Sequence, residues 1–171
     1  MKLRLTEYLN LIPEPDRARC MTMLKDHYPR FKKSPGSQVK HQAWEGGYLD
    51  HLEETMEFAV DLYELMSKKR KLPFTLGSVI KVLFVHDKEK PFKYVSRRRS
   101  FKNDHEKKEF ILGMLKQYHI ELSDDEMNAF TYIHGEGNHH NPHKRIQGEL
   151  AAFVHICDTV SARIWHDYPK H

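Results

Sequence analysis

Apolar residues recur at three- and four-residue spacing through nearly all of this 171-residue chain, and no alternating β-branched run bounded by turn signals interrupts them. That period fits helices, so the expected fold is all-α, a bundle of about six helices around one core of a size one domain can bury. The first helix is expected over about 14–28, where Cys20, Met23 and Leu24 form a stripe behind Pro13 and Pro15. A loop rich in turn formers leads to a long helix at 48–67, with Leu52, Met56, Ala59, Val60, Tyr63 and Met66 on one face. Thr75 is the expected N-cap of a helix carrying Val79, Ile80, Leu83 and Phe84 up to His86 and Asp87, with Pro91 ending it. Asn103 or Asp104 opens the next helix, which carries Ile111, Met114 and Leu115. Ser123 with Glu126 reads as a capping box for a helix to about His134. The last helix is expected over about 146–166, and no internal repeat is visible. The N-terminal helix and loop (1–40) and the helical core (41–166) are read as one domain over 1–171.

Composition narrows the function classes. Twenty-eight Lys+Arg against 24 Asp+Glu leave a net charge of +4, too small for a general nucleic-acid coat. Two cysteines without a CxxC pair supply neither a disulfide framework nor a thiolate zinc finger. No long apolar run occurs and the N-terminus carries charges, so the expectation is a soluble, cytoplasmic protein without a membrane partner. Phosphate loops of the P-loop and dinucleotide types are absent, as is GxSxG. The excess is in histidine, of which there are 13.

Helical phase turns several polar residues toward the core, where they need a reason to be. His86 shares a row with Val79 and Leu83, and Asp87 with Ile80 and Phe84. Asp158 lies in the middle of the last helix's stripe, between Val154 and Ser161. His134 continues the row of Met127 and Phe130, and His51 that of Tyr48 and Thr55. A lone inward histidine is commonly a hydrogen-bonded core residue, and an unpaired buried carboxylate calls for a cation. Four helices each aiming an imidazole or carboxylate inward compose a donor set suited to Mn, Zn, Fe, Co or Ni.

The order His51, His86-Asp87 (VLFVHDKEKP) and Asp158 (FVHICDTVSAR) resembles the H…HD…D signature of the HD-domain metal-dependent phosphohydrolase superfamily. KHQAWEGGYLDHLEETMEFA is similar to the opening segment of the HD domains of certain bacterial 3′–5′ exoribonucleases, HDKEKP to their HDIGKP, and TYIHGEG to their SHHGE. The likeness covers about 40–165. It implies an all-α fold and a phosphohydrolase that cleaves a phosphate ester of a nucleotide or single-stranded nucleic-acid end. It also implies one or two divalent transition-metal ions that activate water. His51, His86, Asp87 and Asp158 would hold one ion; dinuclear members add two histidines, for which His105 and His134 stand. Asp87 and Lys90 would be the catalytic pair, Lys90 keeping the family's lysine place, whereas Lys88 and Glu89 replace small residues. A mononuclear site, a diiron oxygenase of the same superfamily and a silent nucleotide-binding module remain open.

Substrate contacts are expected from Lys93, Arg97, Arg98 and Arg99, a basic run interleaved with Phe92, Tyr94 and Phe101, and from His139, His140 and Lys144 in the loop after His134. The alternative for both runs is a solvated face. His41 and Trp44 are read as pocket-lining, and Glu53, Glu54 and Glu57 as the outer face of the long helix.

Overall fold

In the structure, a computed structural model that describes residues 5–95 and 100–167, every regular element is helical. In chain order these are α1 (Leu5–Leu9), α2 (Asp16–Phe31), α3 (Gly47–Ser67), α4 (Leu76–Val85), α5 (Lys90–Tyr94), α6 (Asp104–Gln117), α7 (Asp124–Tyr132) and α8 (Glu149–Thr159). A 3₁₀ turn follows at Gly137–His139, and α8 runs on into a π-helical turn, Val160–Ile164. The six longer helices match the six expected from periodicity.

The predicted start signals act as caps. The Thr75 side chain accepts from the Ser78 N–H (3.1 Å) and the Asn103 side chain from that of Glu106 (2.9 Å). Ser123 and Glu126 close a reciprocal capping box at the head of α7. α4 (LGSVIKVLFV) is apolar nearly all round and correspondingly central, packing against α1, α3, α7 and α8. α7 and α8 pack along each other, and α3 crosses both α4 and α8. The buried side chains of these elements form one cluster, running from Leu5 in α1 to Cys157 in α8. No helix among the described residues is long and apolar enough to cross a membrane.

Several boundaries differ from the sequence expectation. α2 runs through Pro29 to Phe31 rather than ending near 28, because a proline so close to the C-terminus forfeits little and Phe31 is anchored edge-on against Tyr48, ring centroids 5.2 Å apart. Pro91 does not end a helix; it occupies the first turn of the short α5, where its missing N–H costs nothing. α8 starts at Glu149 rather than 146, because Asn128 binds the backbone on either side of Gln147 and holds that segment extended. α1 precedes the first helix expected from the sequence, and Tyr8 and Leu9 are buried there against α3 and α4.

Gly46 caps α3 with φ +86°, a left-handed conformation that costs an L side chain energy. A Cβ on Gly47 would stand 2.0 Å from the Gln42 carbonyl oxygen, so the Gly-Gly pair lets the 36–42 loop lie directly on the head of α3. Gln42 itself is buried at φ +37°. Such strain persists only where surroundings over-determine it, and Gln42 is gripped at its N–H by the His166 carbonyl (2.6 Å) and at its side chain by Glu54 and Ser161.

Candidate metal centre

Four buried side chains from three parts of the fold meet. His51 comes from the second turn of α3, His86 and Asp87 from the turn that ends α4, and Asp158 from the last turn of α8. One ligand atom of each lies within 4.8 Å of every other, an arrangement that could hold a metal ion. His51 Nε2 is 3.2 Å from Asp158 Oδ1 and 3.7 Å from Asp87 Oδ2; His86 Nε2 is 3.1 Å from Asp87 Oδ2 and 3.6 Å from Asp158 Oδ1.

The far side of each ring is fixed. His86 Nδ1 donates to the Leu83 carbonyl oxygen (2.7 Å). His51 Nδ1 faces Ser161 Oγ (2.9 Å), which donates its own proton to Glu54 Oε2 (2.7 Å) and is therefore left to accept from the imidazole. With Nδ1 protonated in both rings, both Nε2 atoms turn toward the carboxylates, the orientation that outer partners impose on metal-ligating histidines. Neither Nε2 makes a hydrogen bond, although both are buried; Asp87 Oδ2 is held by the Lys90 ammonium. Buried polar atoms without partners are rare, and two imidazole nitrogens turned toward one pair of carboxylates fit a cation site.

The charges agree. Burial pushes the Asp87 and Asp158 carboxyls up, but His86 and Lys90 beside Asp87, and His51 and His86 beside Asp158, hold both well below the usual carboxylate range. Burial opposes charge on His86, yet the two carboxylates outweigh it and raise its imidazole to about 10; burial lowers His51. Burial likewise works against the Lys90 ammonium, which its ion pair with Asp87 keeps charged. Two carboxylates and one lysine leave a deficit of one positive charge, which a proton on His86 makes good in the metal-free protein. A divalent ion displacing that proton would leave the site with net positive charge, able to accept an anion.

The remaining predicted residues are distributed as follows. His134, just past α7, is exposed but carries its Nε2 to 3.8 Å from Asp87 Oδ1 and 3.9 Å from Asp158 Oδ2, closing the group from the solvent side. His105 is exposed in the first turn of α6; it lines the same cleft as His134 but is not in the four-residue group. Lys93 lies half-buried in α5 with its ammonium 5.3 Å from the Tyr94 ring centre. His139 leans on Tyr132, His140 Nδ1 contacts Glu136 Oε2 at 2.7 Å, and Lys144 is exposed. Arg97, Arg98 and Arg99 lie outside the described residues.

Two readings are corrected. Glu54 is not on an outer face but buried, fixing Ser161 and Gln42. The signal was available: Glu54 falls three after His51, on the same helical row. Ser161 reads as small filler in an apolar stripe, and nothing in one sequence announces the π turn that contains it. Lys88 turns away from the centre into the core, its ammonium 3.4 Å from the Phe84 ring centre and bonded to the Tyr48 hydroxyl, while burial lowers its pKa. Glu89 faces the other way, and burial, then the Asp87 charge, raises it to about 7.

Two clefts flank the centre. One, of about 780 Å³, is lined by Lys90, His134 and Asp158; the other, of about 560 Å³, by His86, Asp87, His105 and His134. Both volumes lie in the range of small-molecule sites. His41 lines the larger cleft, its Nδ1 bonded to Gln42 Oε1 (2.7 Å) and its Nε2 3.4 Å from Lys90 Nζ. Compared with known proteins, the chain matches no family model, no curated protein and no solved structure.

Proposed function

We propose that this protein is a metal-dependent phosphohydrolase of HD type, cleaving a phosphate ester of a nucleotide or nucleic-acid end. The observation that carries the reading is the buried pair of imidazoles with unpartnered Nε2 atoms facing two ionised carboxylates at the base of a cleft. Mixed nitrogen and oxygen donors suit Mn, Zn, Fe, Co or Ni. Such an ion supplies neutralising charge for a phosphoryl oxygen and acidifies water.

The chain's own groups do the rest. Lys90, charged and held by Asp87, presents its ammonium to the cleft where a phosphoryl oxygen would sit. His134 overhangs both carboxylates from the solvent side, and it suits the transfer of a proton from the attacking water to the departing oxygen. In the reaction the water oxygen bonds to phosphorus, the ester P–O bond breaks, and the proton goes to the alcohol released. One ion fits the four-residue group; a second would draw on Asp87, His134 and, across the smaller cleft, His105.

The test is elemental analysis of protein purified without chelator or tag nickel, alongside nucleotide hydrolysis, for the wild type and Asp87→Ala. Bound divalent metal and hydrolysis, both lost in the variant, are expected. Full hydrolysis by Asp87→Ala, or no metal uptake by the wild type after reloading, would sink the reading. Iron with oxygen uptake and no hydrolysis would replace it with the oxygenase chemistry of the same superfamily.

A further inference from the structure

The two clefts that meet at His134 carry opposite charge. The larger is lined by three permanent cations, Lys40, Lys90 and Arg163, against one carboxylate, Asp158, which belongs to the metal centre. Its remaining polar lining is the Thr159 hydroxyl and four imidazoles, from His41, His134, His155 and His166. The smaller is lined by four carboxylates, Asp87, Glu89, Asp104 and Glu136, against Lys107 and Lys108. Both of those lysines are engaged, Lys107 with Asp104 at 2.6 Å and Lys108 with the Thr131 hydroxyl at 2.9 Å.

The cations of the larger cleft divide differently. Lys90 is committed to Asp87. Lys40 and Arg163 are exposed, and neither side chain has an ion-pair or hydrogen-bond partner among the described residues. They are brought to one rim by the contact of the 36–42 loop with the end of α8, where Gln42 binds the backbone of Trp165 and His166. Like charges gathered at a rim without counter-charges repel each other and gain when an anion joins them. A guanidinium beside an ammonium can grip a phosphoryl group from two sides.

We propose that the larger cleft holds a second anionic subsite, and that the ligand is a small phosphate ester carrying a further phosphoryl group. The reacting phosphoryl lies at Asp158, His134 and Lys90, and the second is held at the rim by Lys40 and Arg163. This rests on the phosphohydrolase reading for the first group but not for the second. A strand running through both clefts would have to place its backbone against the four carboxylates of the smaller one, so the charge distribution favours a compact ligand that stays on one side.

The experiment is calorimetric titration of the Mn²⁺-loaded protein with inorganic pyrophosphate and with orthophosphate. The wild type is expected to bind pyrophosphate about tenfold more tightly, one charge-assisted contact's worth. Lys40→Ala/Arg163→Ala, at exposed positions that leave the core intact, should abolish that preference while orthophosphate affinity stays within about threefold. Lys107→Ala/Lys108→Ala should keep it. Equal wild-type affinities, or a preference lost through the lysines of the smaller cleft instead, would overturn the subsite. A single-stranded oligonucleotide that displaces pyrophosphate at lower concentration than ADP would overturn the compact ligand in favour of a strand. Because the titration reads binding, a protein that prefers pyrophosphate yet hydrolyses nothing defeats the phosphohydrolase reading alone, and one that hydrolyses without the preference defeats the subsite alone.

Discussion

Two buried charged groups sit on α4, one at mid-helix and one at its C-terminal end, and they are built to different purposes. At Lys81, one ammonium meets Asp16 (2.8 Å), Glu126 (2.6 Å) and the Glu121 carbonyl oxygen (3.1 Å), so its three donors have three acceptors. Burial opposes the charge on Lys81, yet the two carboxylates raise its pKa. At the C-terminal end of α4, His51, His86, Asp87 and Asp158 leave two buried imidazole nitrogens without hydrogen-bond partners. The same ingredients, a cation and two carboxylates, are complete in one place and incomplete in the other. A closed group ties α2, α4 and α7 together; an open one could hold a metal ion.

The largest effects should separate the two groups. Lys81→Met leaves two buried carboxylates facing each other and should cost about 3–5 kcal/mol in urea denaturation, with the metal content of the folded protein unchanged. Asp158→Ala should do the reverse, abolishing metal uptake at little cost in stability, since His86 can give up its proton when the carboxylate is removed. A variant pair that moved both readouts together would erase the distinction.

A smaller effect is expected one layer out. Ser161→Ala removes the acceptor that turns His51, and metal affinity should fall about 10- to 100-fold, read by competition with a chelating dye; an unchanged affinity would make Ser161 mere packing. The pH dependence follows from His86. Its pKa of about 10 exceeds the ordinary value of 6.5, so the stabilisation from its proton is complete below pH 6.5 and fades as pH rises toward 10 in the metal-free protein. Metal must displace that proton, so apparent affinity should climb by up to tenfold per pH unit between pH 6.5 and about 8.5. The closed group has no such proton to lose, and Lys81→Met should show the same slope. Smallest of all, Gly46→Ala forces a Cβ into φ +86° and should cost about 1–2 kcal/mol, seen as a lower Tm with metal affinity reduced only through the displaced 36–42 loop.

Much of this was legible before the fold was known. The inward phase of His51, His86, Asp87 and Asp158 follows from counting along helices, and all four meet in the structure. His134 approaches from solvent rather than from the core, because α7 ends at Tyr132 and releases it. His105 stands on the family resemblance alone, and it lies exposed. Lys88 reads as a surface lysine in a charged run, but three aromatic side chains take it into the core.

The sequence by itself determined the all-helical architecture, its caps and the identity of the four converging inward side chains, because each depends on a period or a spacing within a single helix. The tertiary structure alone decided which atoms remain unpartnered, which cleft is basic and which acidic, and that Glu54 and Ser161 turn His51. Those properties arise between helices distant in the chain, where a π turn or a strained glutamine shifts a side chain by more than any periodicity can register.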